Sequence, residues 1–532
     1  MITSLWKEWR AGKVELGRVR EAQGDRVIFI VTADTTISFG QIVKITPSRE
    51  EGASRVFYAR VTDAGSRSTL GELDELRDLK GSMRTVGPYS QFRFVEAVLF
   101  LERDSLGRIR SPTLNPDYGW AAESLGWEDY KALELTGELK LGYLREGSAV
   151  GRRTVGIGVE CIPRMMAVVG QIGSGKTNAE LVLNAALMET EGKAVGLIFD
   201  FAGELLTGKG IGKGLADSPL ASERLEYYGL ERPRVPVAHG LIRIGLRRIE
   251  PQDLWKLYPD LSPPQAHYAK KLSSRLGRGK WITEAVALYE KEDVYGVLKV
   301  ADGQKAVATA LLRKLSYLNG TVFADLDHDF SHSVVKALAG GKSVLVDVSG
   351  MREEAQRQVV GWVADRAVEY YKARWRSDYE AWRRLPYLLI TLEEAHKFLE
   401  ERHTLFSDIA LTCRKYKVGL NAVTPRPCRI NRDVFAELWT KLILKTSLKE
   451  DRVYLAENTP YLEYSDVELK MLDVGEALLV SQPEIHFAVP VKIFDYKEYL
   501  EQSLSKQAYA QREALAARNA PVKKSEVEEN VL

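Results

Sequence analysis

The fold is decided by residues 165–177, Met-Met-Ala-Val-Val-Gly-Gln-Ile-Gly-Ser-Gly-Lys-Thr. The stretch opens with an apolar run of strand length, and from Gly170 onward it fits the pattern G-x-x-x-x-G-K-[ST]. We predict a helix over Thr177 to Glu191 and a second buried strand over Ala194 to Phe199. A strand, loop, helix and strand in this order form a βαβ unit, which predicts a parallel sheet with helices on both faces.

Each residue type in the Gly-rich loop has a physical role in phosphate binding. Glycines let successive backbone N–H groups face a phosphate, the next helix presents its positive end, and Lys176 reaches the β- and γ-phosphate oxygens. Thr177 supplies a hydroxyl for Mg²⁺. The alternative is a Gly-rich loop without nucleotide, but this match lies between a predicted strand and helix, as the motif requires. We therefore predict an ATPase that uses ATP and Mg²⁺, with contacts from Gly170, Gln171, Ile172, Gly173, Ser174, Gly175, Lys176 and Thr177.

Three predicted strands end in an acidic residue: Asp200, Asp347 and Glu393. ATP hydrolysis needs an acid for the Mg²⁺ shell and a carboxylate that activates water for in-line attack. Only Glu393 is followed at once by a second carboxylate, so we predict Glu393 as a metal ligand and Glu394 as the water-activating group. The alternative for this pair is an ordinary charged turn. Asp200 and Asp347 are equally well explained as caps of the helices that follow their strands.

Length and composition describe a multidomain globular chain. The 532 residues exceed one ordinary core, and 45% hydrophobic with 28% charged residues exclude global disorder. A net charge of +2 excludes a polycation that coats nucleic acid, so any DNA-binding charge must be local. Three cysteines without CxxC spacing argue against a structural zinc site and fit a reducing compartment. Without a signal peptide or an apolar run of about 20 residues, the predicted location is the cytoplasm, with no membrane partner.

The patterning divides the chain into four parts. The first part alternates short β-branched or aromatic runs with turn-rich breaks, which predicts a small β-barrel or sandwich and its connector over residues 1–150. Residues 151–205 and 341–495 are predicted to form the ATPase core around the parallel sheet. Residues 206–340 are predicted to be a mainly helical insertion, and residues 496–532 an exposed helix and tail. The predicted fold class is α/β.

Five blocks of sequence carry a resemblance to a known family. In chain order they are residues 163–170, Pro-Arg-Met-Met-Ala-Val-Val-Gly; 198–204, Ile-Phe-Asp-Phe-Ala-Gly-Glu; 393–399, Glu-Glu-Ala-His-Lys-Phe-Leu; 414–420 with 424–427, Arg-Lys-Tyr-Lys-Val-Gly-Leu and Thr-Pro-Arg-Pro; and 472–477, Leu-Asp-Val-Gly-Glu-Ala. On these blocks the chain resembles the HerA branch of the HerA/FtsK superfamily of hexameric DNA translocases. The resemblance implies a RecA-like P-loop ATPase core with a mostly parallel sheet, an N-terminal β-barrel of the HerA–ATP synthase type and a helical insertion.

The resemblance also implies roles for single residues and for partners. Lys176 and Thr177 would bind phosphate and Mg²⁺, Glu394 would activate water, and Arg414 would be an arginine finger from a neighbouring subunit of a hexamer. Arg164 matches a further family arginine near the nucleotide. The implied partners are double-stranded DNA and a NurA-type nuclease, in DNA end resection and repair. The alternative for Arg414 is a solvated basic face.

Two positions depart from the family pattern. Pro425 stands where the family has glutamine, so a polar sensor of the γ-phosphate is either absent or replaced by Thr424. Ala202 stands where the family has histidine. Both changes concern the coupling of hydrolysis to movement more than nucleotide binding. Two rival functions stay open: a secretion, pilus or genome-packaging ATPase of the same superfamily, and a nucleotide-gated ring scaffold that regulates a nuclease, which the departures favour.

Residues 206–214, Leu-Thr-Gly-Lys-Gly-Ile-Gly-Lys-Gly, are the candidate DNA contact. In a ring, one or two basic residues per subunit make many phosphate contacts, which reconciles DNA binding with the small net charge. The glycines allow close approach, and Lys209 and Lys213 supply the charge. The alternative is a flexible surface loop. The DNA end preference, the direction of movement, the oligomer count and the identity of the nuclease do not follow from the sequence.

Overall fold

The computed structural model describes most of the chain, but not its first 13 or last 28 residues. The described residues are 14–31, 35–47, 55–68, 91–126, 135–146, 149–291, 305–318, 322–402 and 404–504, together with Asp129, Leu133, Tyr295 and Gly320. The tail predicted beyond residue 504 therefore lies outside the described residues. No helix in these ranges is both long and apolar enough to span a membrane.

Seven antiparallel strands form the N-terminal domain. They are ordered β2-β1-β7-β3-β4-β5-β6, and β2 also pairs with β5, which closes the first six into a small barrel. Alternate side chains such as Val27, Phe29 and Val31 fill its interior, as expected when successive side chains of a strand point to opposite faces. This confirms the predicted barrel. The strands are β1 (Glu15–Gln23), β2 (Arg26–Val31), β3 (Ile42–Thr46), β4 (Val56–Ser68), β5 (Gln91–Arg103), β6 (Ile109–Arg110) and β7 (Ala121–Glu123).

A twelve-stranded mixed sheet forms the core of the molecule. Its order is β13-β12-β16-β11-β17-β18-β10-β19-β20-β21-β8-β9; the pairings from β13 to β19 are parallel and the rest antiparallel. The strands are β8 (Leu139–Glu146), β9 (Ala149–Ile157), β10 (Met166–Val169), β11 (Ala194–Asp200), β12 (Leu225–Gly229), β13 (Ala238–Leu241), β16 (Ser343–Asp347), β17 (Tyr387–Leu392), β18 (Val418–Thr424), β19 (Thr440–Leu444), β20 (Glu476–Ser481) and β21 (Val489–Ile493). The short strands β14 (Ile244–Gly245) and β15 (Phe323–Ala324) pair separately.

Helices cover both faces of the sheet, which confirms the predicted layers. Along β11, Val195 and Phe199 belong to one buried cluster and Ile198 to the other, because a parallel central strand is buried on both faces. The helices are α1 (Lys176–Glu189), α2 (Ala221–Arg224), α3 (Leu254–Leu257), α4 (Pro263–Leu276), α5 (Trp281–Glu290), α6 (Lys305–Ser316), α7 (Phe330–Ala339), α8 (Glu353–Ser377), α9 (Tyr379–Arg384), α10 (His396–Leu399), α11 (Leu405–Thr412), α12 (Arg432–Ala436), α13 (Lys449–Asn458), α14 (Asp466–Met471) and α15 (496–504).

Three structural findings bear on the predicted division of the chain. Strands β8 and β9 lie before or across residue 150, yet they extend the ATPase sheet through β21 and not the barrel. The insertion predicted at 206–340 is mainly helical, but its strands β12 and β13 form one edge of the same sheet. The helix that starts at residue 496 is not fully exposed, because Tyr496 and Leu500 are buried against the core. In each case the contact that decides the assignment joins residues that are distant in sequence, so local patterning does not reveal it.

The register of the parallel strands brings the predicted site residues to one edge. Val169, at the end of β10, pairs with Thr424 at the end of β18. Leu392, just before Glu393, pairs with Phe199 of β11, whose next residue Asp200 pairs with Asp347. Ligands of open parallel sheets bind at this carboxyl edge. The opposite edge carries the residues that precede the strands.

Candidate nucleotide-binding and catalytic site

The Gly-rich loop joins β10 to α1 and has the backbone that its glycines predict. Gly173 and Gly175 have φ angles of 78° and 103°, in the left-handed region that favours glycine. The Nζ atom of Lys176 donates to the carbonyl oxygens of Gly170 (2.8 Å) and Gln171 (3.0 Å). Burial lowers the pKa of Lys176, against the opposing effect of nearby glutamates. The lysine is therefore held across its own loop, at the N-terminus of a 14-residue helix.

Two segments from the C-terminal part of the chain support this loop. The amide of Ser447 donates to Gln171 Oε1 (3.0 Å), and the amide of Gly475 donates to the carbonyl of Ser174 (3.0 Å). A Cβ atom on Gly175 would lie 3.2 Å from the Gly475 nitrogen, which explains the pairing of two glycines at this contact. The Leu-Asp-Val-Gly-Glu-Ala block of residues 472–477 thus lies directly against the phosphate loop, a contact that the sequence did not predict.

The hydrogen-bond donors and the hydroxyl of this loop fit a nucleoside triphosphate with Mg²⁺. Backbone N–H groups at the start of α1 and the Lys176 ammonium are the groups that bind phosphate oxygens in such loops. The hydroxyl of the half-buried Thr177 makes no hydrogen bond within the described part of the chain, so it is available to a cation. Ile172 is 87% exposed at the tip of the loop, which leaves the mouth of the site open.

Glu393 points back into the protein at the end of β17. Its Oε2 atom accepts a hydrogen bond from the amide of Phe201 (2.9 Å). Burial and then the charge of Asp200 raise the pKa of Glu393 to about 7. The carboxylate is near enough to Lys176 for its charge to act on the lysine, and a cation bound beside it would favour its charged form.

Glu180 is a buried acid that the sequence analysis missed. It lies one turn after Lys176 on α1 and is 1% exposed. Burial, together with the charge of Glu393 and a hydrogen bond to it, raises the pKa of Glu180 well above its usual value. A single glutamate inside the apolar run Ala179 to Leu183 was the available signal. Glu180 and Glu393 form a pair of carboxyl groups behind the lysine.

Glu180→Gln is expected to stabilise the metal-free protein, and to do so more at about pH 8.5 than at about pH 5. The raised pKa means that folding favours the protonated carboxyl, so this stability is present below the unfolded pKa and lost as the pH rises through the folded pKa. A tenfold difference in proton affinity between the folded and unfolded states corresponds to about 1.4 kcal/mol, and glutamine does not titrate. Urea unfolding midpoints at the two pH values measure the effect. Glu191→Gln, at an exposed residue just after α1, is the control, and an unchanged pH slope in Glu180→Gln would contradict the prediction.

Asp200 and Asp347 have structural partners at the same edge. The carboxylate of Asp200 accepts four backbone N–H groups of the turn that follows it, those of Ala202, Gly203, Glu204 and Leu205. Asp347 accepts from the Tyr227 hydroxyl (2.9 Å) and from the amide of Ser349 (2.9 Å). Both acids thus shape the turns after their strands, whereas the alternative predicted caps of the helices that follow.

Glu394 differs from Glu393 in backbone and exposure. Its φ angle is 49°, which is uncommon for a residue with a side chain and is found mostly where the surroundings impose it. Its side chain is 46% exposed, and its Oε2 atom lies 3.6 Å from Nδ1 of His396. The adjacent carboxylates therefore face different environments, one buried inside the protein and one nearly half exposed.

Thr424 is not positioned to contact a nucleotide directly. It is fully buried, and its Oγ1 atom accepts the amide of Arg426 (3.0 Å) and lies 3.2 Å from Nδ1 of His396. Burial lowers the pKa of His396, so its imidazole is neutral near pH 7. The proposal that Thr424 replaces the missing glutamine as a direct phosphate sensor is therefore not supported by its burial.

The two predicted arginines lie at the opposite edge of the sheet. Arg414 precedes β18 and its guanidinium stacks 4.5 Å from the ring centre of Trp439; Arg164 precedes β10 and pairs with Glu484. Because β18 runs from Val418 to Thr424, Arg414 is separated from the phosphate loop by the length of that strand, about 20 Å. The structure thus does not bring Arg414 or Arg164 to Lys176 within one chain.

The candidate DNA residues lie in the loop after β11, beside α15. Lys209 is exposed, whereas Lys213 is half-exposed and pairs with Asp217 (2.9 Å). Three glycines of the loop have positive φ angles: Gly208 (68°), Gly210 (85°) and Gly212 (96°). Lys209 is thus the better placed of the two lysines for contact with a partner.

The loop between strand and helix, the lysine held across it and the carboxylates at the neighbouring strand ends define this chain as a P-loop ATPase. The family model for the central domain of helicase HerA matches residues 139–367, which include the phosphate loop. On this match the chain is similar to the HerA-like members of the HerA/FtsK superfamily of P-loop ATPases.

Several named relatives share this similarity, two of them over most of the chain. The DNA double-strand break repair helicase HerA of Saccharolobus solfataricus is 24% identical over 369 residues, 67% of this chain and 70% of the relative. The protein of the same name from Sulfolobus acidocaldarius is 24% identical over 404 residues, 73% of this chain and 75% of the relative. A probable HerA helicase of Methanocaldococcus jannaschii is 35% identical over 99 residues, 18% of this chain and 20% of the relative.

Solved structures to which the chain is similar include the following two proteins. The plasmid coupling protein TrwB, solved with ADP and Mg²⁺, has a TM-score of 0.45 and 13% identity, over 64% of this chain and 87% of TrwB. VirB4 of Thermoanaerobacter pseudethanolicus has a TM-score of 0.43 and 14% identity, over 67% of this chain and 96% of VirB4.

Proposed function

We propose that this chain is an ATP-driven, ring-forming motor on double-stranded DNA, with six subunits, that works in DNA end processing. The observation that carries the proposal is the division of one ATPase site between two edges of the sheet. Lys176, Glu393 and Glu394 lie at the carboxyl edge, whereas Arg414 lies about one strand length away at the other edge. A complete site then requires the Arg414 edge of a second copy.

The chemistry at the carboxyl edge is hydrolysis of ATP. The loop amides and Lys176 would hold the β- and γ-phosphates, and Thr177 and Glu393 would hold Mg²⁺, which supplies charge stabilisation to the transferring phosphoryl group. Glu394 would orient and deprotonate the attacking water from its exposed position. Arg414 of a neighbouring subunit would stabilise the charge that develops in the transition state.

The surface around the phosphate loop supports a neighbouring copy at this position. Ile172, Met471 and Val474 are 87%, 63% and 63% exposed around the open mouth of the site. A group of exposed apolar side chains at such a place is typical of a surface that another protein covers. The edge that would cover it presents Arg414 and Lys415, both exposed. A head-to-tail contact between unlike edges closes into a ring when the rotation allows it.

The proposal that DNA is the substrate rests on the similarity to the relatives and on local positive charge. The relatives named above are DNA double-strand break repair helicases, and Lys209 is an exposed cation in a loop with three left-handed glycines. Six copies of such a loop would supply many phosphate contacts around a duplex. We further propose a NurA-type nuclease as partner of the barrel, where Leu106, Leu114 and Tyr118 are exposed.

The proposal is tested by ATP hydrolysis with and without linear double-stranded DNA, for the wild type and for Lys176→Ala. We expect duplex to stimulate turnover several-fold in the wild type, and Lys176→Ala to show no turnover in either condition. Raising the salt from 50 to 200 mM should reduce the stimulation, because phosphate contacts release counterions. Robust turnover that duplex does not change would contradict the DNA motor and favour a ring scaffold or a protein-moving ATPase.

A further inference from the structure

We propose that His396 is a positioning residue that orients the carboxylate of Glu394 for attack on ATP. The inference rests on the proposed role of Glu394 and names the group that controls it. The Nδ1 atom of His396 faces both Thr424 and Glu394, at 3.2 Å from Thr424 Oγ1 and 3.6 Å from Glu394 Oε2. These three side chains come from the ends of the neighbouring strands β17 and β18.

Thr424, the buried partner of Nδ1, is itself fixed inside the protein. Thr424 is fully buried, and one lone pair of its hydroxyl oxygen accepts the amide of Arg426 at 3.0 Å. The second lone pair can accept a proton from Nδ1. The amide of Ala395 also donates to the carbonyl of Val423 at 3.0 Å, which ties the backbone beside His396 to β18. The side chain of His396 is only 12% exposed, so the ring has little freedom to turn.

The same Nδ1 edge of the ring also faces the Glu394 carboxylate, which has only acceptor atoms. A neutral imidazole with its proton on Nδ1 presents an N–H edge to both Thr424 Oγ1 and Glu394 Oε2, whereas the other tautomer would present lone pairs to Glu394. The contact at 3.6 Å is longer than a hydrogen bond, so a small movement of the exposed Glu394 side chain closes it. Arg429, Lys397 and Glu400 are the other charged groups near the ring.

Glu394 needs such support because its own backbone does not supply it. The residue lies in the left-handed region with φ of 49°, and its side chain is nearly half exposed. An exposed glutamate samples several rotamers, and misplacement of a reacting group by about 1 Å can cost roughly 100-fold in rate. The position of the Glu394 carboxylate in the transition state thus depends on a neighbouring side chain that is itself held in place. His396 is held in this way.

The test compares two amides at position 396 that differ in where they place a polar atom. Asparagine puts one near the Nδ1 position, whereas glutamine reaches towards Nε2. We expect His396→Gln to lower kcat roughly 10- to 100-fold with KM for ATP and binding of a fluorescent ATP analogue unchanged. His396→Asn is expected to recover most of kcat. Equal loss in both variants, or loss expressed mainly in KM, would overturn the proposal.

Thr424, the other contact of Nδ1, provides an independent test. Thr424→Val removes the hydroxyl with little change of shape, and Thr424→Ser keeps it. We expect a lower kcat in the valine variant only, and His396→Gln with Thr424→Val to be no slower than His396→Gln alone, because the two residues act as a unit. Additive losses would overturn the proposal. Glu394→Gln is measured alongside to distinguish failure of this inference from failure of the proposed function. If Glu394→Gln hydrolyses ATP like the wild type, the proposed role of Glu394 is wrong, and the inference about His396 falls with it.

Discussion

Glu394→Gln is expected to lower kcat for ATP hydrolysis by roughly 100- to 10,000-fold while ATP binding is retained. Glutamine preserves the size of the side chain but cannot accept a proton from the attacking water. Glu394 makes no described contact with the phosphate loop beyond its charge near Lys176, so removal of that charge leaves the loop, the lysine and Thr177 in place. The measurement pairs single-turnover hydrolysis with equilibrium binding of a fluorescent ATP analogue.

A nearby glutamate gives the matched control. Glu401 is exposed in the same segment after β17, and Glu401→Gln removes one negative charge without touching the site. We expect it to hydrolyse ATP at the wild-type rate. If Glu394→Gln turns over within twofold of the wild type, another group activates the water. Weak binding in Glu394→Gln would instead show that the carboxylate supports the nucleotide site itself.

The ATPase core was predictable because its signals are local. The apolar run before Gly170 and the glycines after it mark a strand and a tight loop by composition alone. Strand Tyr387–Leu392 lies directly before Glu393, where a strand is predicted to end, since six consecutive apolar or β-branched residues favour a buried strand. The register of parallel strands then brings Glu393 and Thr424 to the phosphate loop without further information.

The parts that were not predicted depend on contacts between distant residues. β13 exposes Ala238 and His239 and shows no buried pattern, and β12, although mostly buried, is only five residues long. Glu180 is unusual only once the helix around it is known to be buried on all sides, since an exposed glutamate at that position would be ordinary. Thr424 likewise cannot contact the nucleotide because it is buried, and its burial cannot be read from the residues around it in the sequence.

The carboxyl groups behind Lys176 show how the site differs from a simple motif. Glu180 and Glu393 lie together in a buried environment where both pKa values are raised. Two acids in such a place are costly unless a proton or a cation compensates their charge. A site built in this way is expected to respond to Mg²⁺ more strongly than one with a single acid. The phosphate loop motif alone carries no information about this second acid.

Arg414→Ala is expected to lower kcat by roughly 1,000- to 100,000-fold, the range for loss of an arginine finger. The expectation follows from the position of Arg414 beyond the start of β18, where it stacks on Trp439 and cannot reach the nucleotide of its own chain. Arg383→Ala is the matched control, because Arg383 is an exposed arginine at the same edge and pairs only with Glu380 among the described residues. Arg383→Ala should retain the wild-type rate.

A mixing experiment decides whether Arg414 acts on a neighbouring subunit. Lys176→Ala removes the phosphate-loop lysine but keeps Arg414, whereas Arg414→Ala does the opposite, so each protein alone should be inactive. In randomly mixed rings about a quarter of the junctions join an intact phosphate loop to an intact arginine, and activity should return in that proportion. If Arg414 acted within its own chain, every site in the mixture would lack one of the two groups. A mixture as inactive as its components would therefore show that Arg414 does not act on a neighbouring subunit, and Arg164, held by Glu484 at the same edge, would be the next residue to exchange.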